Sequence, residues 1–153
     1  MAVVIFWLGG FTFYAGVVIP TAHGVLGSHR EVGFITQAVT FWINVSGGVA
    51  AVLLLVNLWR MDRSMRWLCR SAWATWSVIT VAQVALVVLH PALDGMLDAK
   101  DHEFLDRAGF HHLHRIYLII ATVQWCATLP HVGLLFVAWQ SQDRSTTLAR
   151  SLQ

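Results

Sequence analysis

Four long apolar runs divide this chain of 153 residues, and they limit its fold more strongly than any other feature of the sequence. They cover about residues 3–21, 35–59, 72–93 and 116–139. Each run is close to or longer than the roughly 20 helical residues that cross the hydrocarbon core of a bilayer. With their flanking turns they predict helices over about residues 3–22, 35–59, 72–97 and 110–139. The sequence therefore predicts an all-α fold, an integral membrane four-helix bundle that forms a single transmembrane domain over residues 1–153.

The composition agrees with a membrane protein and argues against a soluble one. Apolar residues make up 57% of the chain and charged residues only 12%, about half of the roughly 25% that soluble domains carry. The net charge of +2 is small and its basic residues are scattered, so no nucleic acid partner is expected. The expected partner is the lipid bilayer, with a homo-oligomer or a larger membrane complex as open alternatives.

The charges of the loops predict the orientation of the helices. The loop between the second and third runs is basic, with Arg60, Arg63, Arg66 and Arg70. The loop between the third and fourth runs is acidic, with Asp98, Asp101, Glu103 and Asp106. Because short cytoplasmic loops retain Lys and Arg, the basic loop belongs inside. We therefore expect a multi-pass protein of the bacterial inner (cytoplasmic) membrane with both termini in the cytoplasm.

The eight histidines are distributed unevenly across this topology. Only His131 lies toward the predicted inner side, and we interpret it as the partner of a carbonyl that Pro130 leaves without its helical bond. The others lie toward the outer side: His23, His29, His90, His102, His111, His112 and His114. Imidazole has no reason to prefer one leaflet, so this asymmetry indicates a shared purpose at the outer face.

A transition-metal ion is one ligand that this arrangement can serve. Three predicted helices bring histidines to one level, and Asp94 lies one helical turn from His90, where a carboxylate can orient a histidine or join it as a ligand. Neutral imidazole suits copper and zinc. The predicted metal ligands are His90, Asp94, His114, His111 and His23.

Haem b is the second ligand that the pattern allows. Membrane four-helix bundles can hold a porphyrin between histidines of different helices, with glycines making room for its flat face. Glycines are present in the first two runs at Gly9, Gly10, Gly16, Gly47 and Gly48. A surface arginine can then meet the propionates. The predicted cofactor-binding residues are His90, His114, His23 and Arg115.

Each predicted helix also has one small or polar face. Asn44, Gln83 and Gln124 lie on these faces at mid-membrane positions. We interpret them mainly as hydrogen-bonding contacts between helices, worth about 0.5–2 kcal/mol each. A path for protons, water or a ligand is the alternative, because polar groups at membrane depth are often functional.

Two segments resemble the small four-helix bacterial membrane proteins of unknown function in the copper-resistance protein D (CopD)-like superfamily. One is Phe-Trp-Leu-Gly-Gly-Phe-Thr-Phe at residues 6–13, continuing to Val18-Ile19-Pro20. The other is Phe-His-His-Leu-His-Arg at residues 110–115, leading into Ala-Thr-Val-Gln-Trp at residues 121–125. HemJ-type protoporphyrinogen oxidases are a more distant likeness. The resemblance implies a compact four-helix bundle and copper or haem chemistry.

Three functions follow as hypotheses. The first is an outer-face histidine cluster that binds a transition-metal ion or haem for metal handling or electron transfer. The second is a cofactor-free structural or accessory subunit of a membrane complex, and the third is a HemJ-like porphyrin-handling enzyme. The sequence identifies no catalytic residue, since it has neither a nucleophile elbow nor a phosphate-binding loop.

Overall fold

The protein is described by a computed structural model that covers residues 2–27, 29–61, 66–98, 103–104 and 106–151. It consists of four long helices: α1 (Ala2–Leu26), α2 (His29–Arg60), α3 (Arg66–Asp94) and α4 (Arg107–Ser151). Two short strands, β1 (Leu97–Asp98) and β2 (Glu103–Phe104), pair antiparallel between α3 and α4. The predicted all-α four-helix fold is confirmed, and the short ribbon is an addition to it.

All four helices are long and apolar enough to cross a membrane. Their most apolar stretches have a mean hydropathy between 1.5 and 2.1. Large apolar side chains point away from the bundle, among them Phe6, which is 76% exposed, and Val81, which is 70% exposed. A continuous apolar surface of this kind fits hydrocarbon and not water. The chain is a multi-pass membrane protein.

Because the chain crosses back and forth, each end of the bundle collects one terminus from every helix. We call the end where α1 and α3 finish the histidine end, since it carries His23, His90, His111 and His114. The opposite end, where α2 finishes and α3 begins, is the arginine end, after Arg60 and Arg66.

The helix boundaries differ from the predicted ones at six places: α1 ends at Leu26 instead of about residue 22, α2 begins at His29 instead of about residue 35, and both ends of α3 and of α4 also move. α3 begins at Arg66 and ends at Asp94, where Gly95 donates its N–H to the Pro91 carbonyl at 2.9 Å and the chain turns into β1. α4 begins at Arg107, because the Asp106 carboxylate accepts the N–H of Gly109 at 2.9 Å and caps the helix. The polar segment after residue 140 continues α4 to Ser151, since no Gly or Pro interrupts it.

The geometry of α1 changes in its second half. It is α-helical over Ala2–Phe13 and again over Ile19–Leu26, but π-helical over Tyr14–Val18. Pro20 follows this segment and removes one backbone N–H from it. A π-helical turn holds an extra residue and so redirects the side chains beyond it. The helix closes at Gly27, whose φ of 61° lets its N–H reach the His23 carbonyl at 3.1 Å.

The helices pack most closely at the arginine end. Its core contains residues from all four helices: Val4, Trp7, Ala50, Leu54, Leu58, Leu68, Ala72, Ile79, Leu135 and Ala138. At the histidine end a separate, smaller cluster contains Leu86, Leu93, Tyr117 and Ala121 of α3 and α4. α3 and α4 form the most extensive helix pair, while α1 packs mainly on α2. The bundle is therefore loosest between α1 and α4 at the histidine end.

Indole side chains tie the helices to one another. Trp7 of α1 donates to the Ile43 carbonyl of α2 at 3.2 Å, and Trp76 of α3 donates to the Ala51 carbonyl of α2 at 3.0 Å. Close approach near Trp7 depends on Gly47, where a Cβ would lie 2.9 Å from the Trp7 Nε1. The small residue at this position is thus a requirement of packing.

Candidate functional site

A cavity of about 520 Å³ lies between α1, α2 and α4 on the histidine side of the main core. Its volume falls within the roughly 300–1,000 Å³ of cavities that bind small molecules. Much of its wall is aromatic, with Trp7, Phe11 and Tyr14 from α1 and Phe110 and Tyr117 from α4. We call this space the bundle cavity.

Three of the predicted histidines line the bundle cavity: His23 from α1, and His111 and His114 from α4. The Nδ1 of His23 is 2.9 Å from the Ile19 carbonyl, so Nδ1 carries the proton and Nε2 the lone pair. This tautomer is the one in which a histidine can ligate through Nε2. His114 is stacked on Phe110, with ring centroids 5.6 Å apart and planes 8° from parallel, which holds its ring along the cavity wall.

A buried network of polar side chains closes the cavity on its deep side. The Tyr117 hydroxyl donates to the Asn44 Oδ1 at 3.0 Å, and the Gln83 Nε2 donates to the Asn44 carbonyl at 2.8 Å. The Gln124 Nε2 donates to the Gln83 Oε1 at 2.7 Å. The predicted hydrogen-bonding role of these three amides is confirmed, since they join α2, α3 and α4 at membrane depth.

Two polar atoms on residues of this cavity wall are buried without a hydrogen-bond partner among the described residues. They are the Asn44 Nδ2 and the Tyr14 hydroxyl oxygen. The Tyr14 hydroxyl lies near Thr36 and Thr40 of α2, but not in the geometry of a hydrogen bond. Unpaired polar groups are unfavourable at membrane depth, so the wall here is more polar than helix packing alone requires.

His90 and Asp94 do not line the bundle cavity. The His90 Nδ1 lies 3.6 Å from the Asp94 Oδ1, and the pair faces a groove of about 700 Å³ between α2 and α3. A small pocket of about 40 Å³ is lined by this pair together with His114 and Tyr117. His114 is thus the predicted ligand that borders both regions.

The structure therefore divides the predicted metal ligands between two places. His23, His111 and His114 belong to the bundle cavity, whereas His90 and Asp94 belong to the groove. In the part of the chain that the structure describes, no group of three or more His, Cys, Asp or Glu residues is arranged to hold a metal ion.

The remaining candidates lie elsewhere. Arg115 and His112 are exposed on α4 and do not line the bundle cavity. His102 and the side chain of His29 lie outside the described part of the structure. His131 has a different partner from the predicted one: its Nδ1 lies 2.8 Å from the Thr75 hydroxyl of α3.

Sequence reasoning missed Tyr14 and Phe110 as parts of the site. Tyr14 lies in the middle of α1, whereas tyrosines of membrane helices favour the interfaces. A tyrosine at this unusual depth was the sequence signal that could have indicated a polar site inside the bundle. Phe110 carried no signal of its own, because an aromatic residue next to a membrane helix is ordinary.

Comparison of the chain with protein-family models, with curated proteins and with solved structures finds no match. The resemblance to CopD-like and HemJ-type proteins therefore stays a prediction.

Proposed function

We propose that this protein binds haem b in the bundle cavity and takes part in electron transfer at the membrane. The observation that carries the proposal is that His23, His111 and His114, from two different helices, line one cavity with aromatic walls. Histidine is a common axial ligand of haem iron, and an apolar, largely aromatic surface suits the porphyrin ring. The cavity offers both within about 520 Å³.

The arrangement favours haem over a bare copper or zinc ion. A protein site for such an ion usually supplies three or four ligands, and the described residues offer no such group. The iron of haem already has four porphyrin nitrogens, so one or two histidines complete its coordination. His23 and His114 are the ligands we propose, because they belong to different helices that line the same cavity and the ring of His114 is ordered by stacking on Phe110.

We further propose that the histidine end faces the outside of the bacterial inner membrane and that both termini are cytoplasmic. Support comes from the arginines between α2 and α3 and from the acidic residues between α3 and α4. A reporter enzyme that is active only in the cytoplasm should be active when it is fused after Gln153. A periplasmic signal there would invert the orientation.

Titration with hemin in nanodiscs tests the haem proposal. We expect a saturable Soret band at one haem per chain. His23→Ala and His114→Ala should each weaken binding by more than the roughly 10- to 100-fold that losing a hydrogen-bond partner of a ligand costs. His112→Ala, which changes an exposed neighbour outside the cavity, is the matched control and should bind as the unchanged protein does.

The same experiment decides between the other hypotheses. Iron-free protoporphyrin that binds well and ignores both histidine substitutions indicates a porphyrin-handling enzyme. Copper or zinc retained at one ion per chain without a Soret band indicates ion handling. If none of these ligands binds, the haem proposal is wrong and a cofactor-free accessory subunit becomes the better interpretation.

A further inference from the structure

The groove between α2 and α3 shares only Asn44 and Gln83 with the bundle cavity and opens on the membrane-facing surface. Its walls are mainly aliphatic, and several of them are half exposed, including Val49 at 50%, Val52 at 61% and Val87 at 51%. The groove is open at Gly48, since a Cβ at that position would meet nothing within 4 Å. The groove therefore forms an apolar channel on the membrane-facing surface.

On its α3 side, the groove matches one leaflet of a bilayer in length and position. Along α3 it is lined from Gln83 to Asp94, which is a rise of about 17 Å at 1.5 Å per residue. Half of a hydrocarbon core is about 15 Å thick. One end of this lining is Asp94, the last residue of α3, and the other is Gln83, near the middle of α3, while on α2 the lining continues to Leu53. This is the depth that one acyl chain occupies below its head group.

The polar end of the groove has a defined charge. Asp94 has a side chain that is 36% exposed, while the side chain of its partner His90 is only 11% exposed. Within the described part of the chain, His90 is the one ion-pairing partner that Asp94 has, and no Lys or Arg neutralises it. A carboxylate that stands at the boundary of the membrane span in this way attracts a cation and disfavours an anion.

We propose that the groove binds a phospholipid with a primary ammonium head group, such as phosphatidylethanolamine. One acyl chain lies along the groove, and the ammonium donates hydrogen bonds to the Asp94 carboxylate. A choline head group has the same charge but no N–H to donate, so it cannot form these bonds. An anionic head group is repelled. The acyl chain alone provides no selectivity, because the surrounding surface of the bundle is equally apolar.

Native mass spectrometry of the purified protein with dioleoyl lipids tests this proposal. Phosphatidylethanolamine should be retained about fivefold better than phosphatidylcholine, as expected for a partly exposed ion pair, and phosphatidylglycerol least of all. Asp94→Asn should remove the preference. Asp106→Asn is the matched control, since it neutralises an exposed carboxylate at the same end and still caps α4.

A second variant tests the acyl-chain part of the proposal. Gly48→Phe fills the groove from a position with free space and should lower the retention of both zwitterionic lipids. Equal retention of the three lipids by the unchanged protein overturns the proposal, as does a preference that survives Asp94→Asn. A third outcome is that the unchanged protein is a dimer, that Gly48→Phe dissociates it, and that no lipid selectivity is found. The groove is then an interface between two copies, and the proposal is also wrong.

Discussion

The arginine end and the histidine end of this bundle are formed by the same four helices, yet the first is filled and the second encloses a cavity. At the arginine end, buried apolar side chains of all four helices meet in one core. At the histidine end, α1 leaves regular α-helical geometry at Tyr14–Val18, and the buried apolar cluster belongs to α3 and α4, with only Phe11 of α1 packed against it. The comparison teaches that the packed core and the cavity occupy opposite halves of the same helices.

The difference has a physical basis in how membrane helices associate. Because lipid is as apolar as the side chains, close packing and hydrogen bonds hold the helices together, not escape from water. The arginine end uses packing around small residues such as Ala50 and Ala72. The histidine end uses the Asn44, Gln83 and Gln124 network instead. Polar groups can border a cavity and still satisfy one another, which a purely packed core cannot do.

The largest effect should come from a truncation in the packed half. Leu54 is 1% exposed, so Leu54→Ala leaves a void and should lower the free energy of unfolding by about 2 kcal/mol. Leu118→Ala is the control: Leu118 lines the bundle cavity and is 52% exposed, so its loss should cost less than about 0.5 kcal/mol. Unfolding in a detergent series, followed by tryptophan fluorescence, measures both. Equal losses would contradict the division of the bundle into two halves.

The two adjacent glycines of α2 give a sharper test of close packing. A Cβ at Gly47 would lie 2.6 Å from the Gln83 Oε1 and 2.9 Å from the Trp7 Nε1, so Gly47→Ala should cost about 1–2 kcal/mol. Gly48 has open space around it. Gly48→Ala should therefore leave stability unchanged or raise it slightly through better helix propensity. The same unfolding assay applies, and the prediction fails if the two substitutions have similar effects.

The smallest effects distinguish the two tyrosines of the bundle cavity. Tyr117→Phe removes the 3.0 Å bond to Asn44 and should lower the free energy of unfolding by about 1 kcal/mol. Tyr14→Phe removes a buried hydroxyl that has no hydrogen-bond partner among the described residues. It should leave stability unchanged or slightly increased. A loss for Tyr14→Phe as large as that for Tyr117→Phe would show that its hydroxyl bonds within the protein.

The architecture could be predicted because the signals for it are local. Each apolar run has the length that a bilayer demands, and each stretch between runs carries charges that hydrocarbon excludes. The sequence also contains a signal for the start of α4, since Asp106 lies three residues before Gly109, where a carboxylate can cap a helix. The π-helical segment of α1 was harder to predict, because Pro20 indicates an irregular helix but not whether the irregular turn precedes or follows it.

The candidate site was predictable only in part. Helical spacing correctly placed Asn44, Gln83 and Gln124 on inward faces, and His23, His111 and His114 on one cavity. It also grouped His90 and Asp94 with them, whereas the structure places that pair on the α2–α3 groove, where only a small pocket joins it to His114. Spacing identifies residues that share a face of one helix, but the rotation of that face relative to the neighbouring helices depends on packing along the whole bundle.

The sequence by itself determined that this chain forms four membrane helices with polar inner faces and a concentration of histidines at one end. Those properties follow from the lengths of the runs and from periodicity within each helix, which need no partner. Only the tertiary structure decided that a cavity opens between α1, α2 and α4 and that the histidines divide between it and the α2–α3 groove. The reason is that a cavity is a property of how helices fit together, so no single helix contains the information.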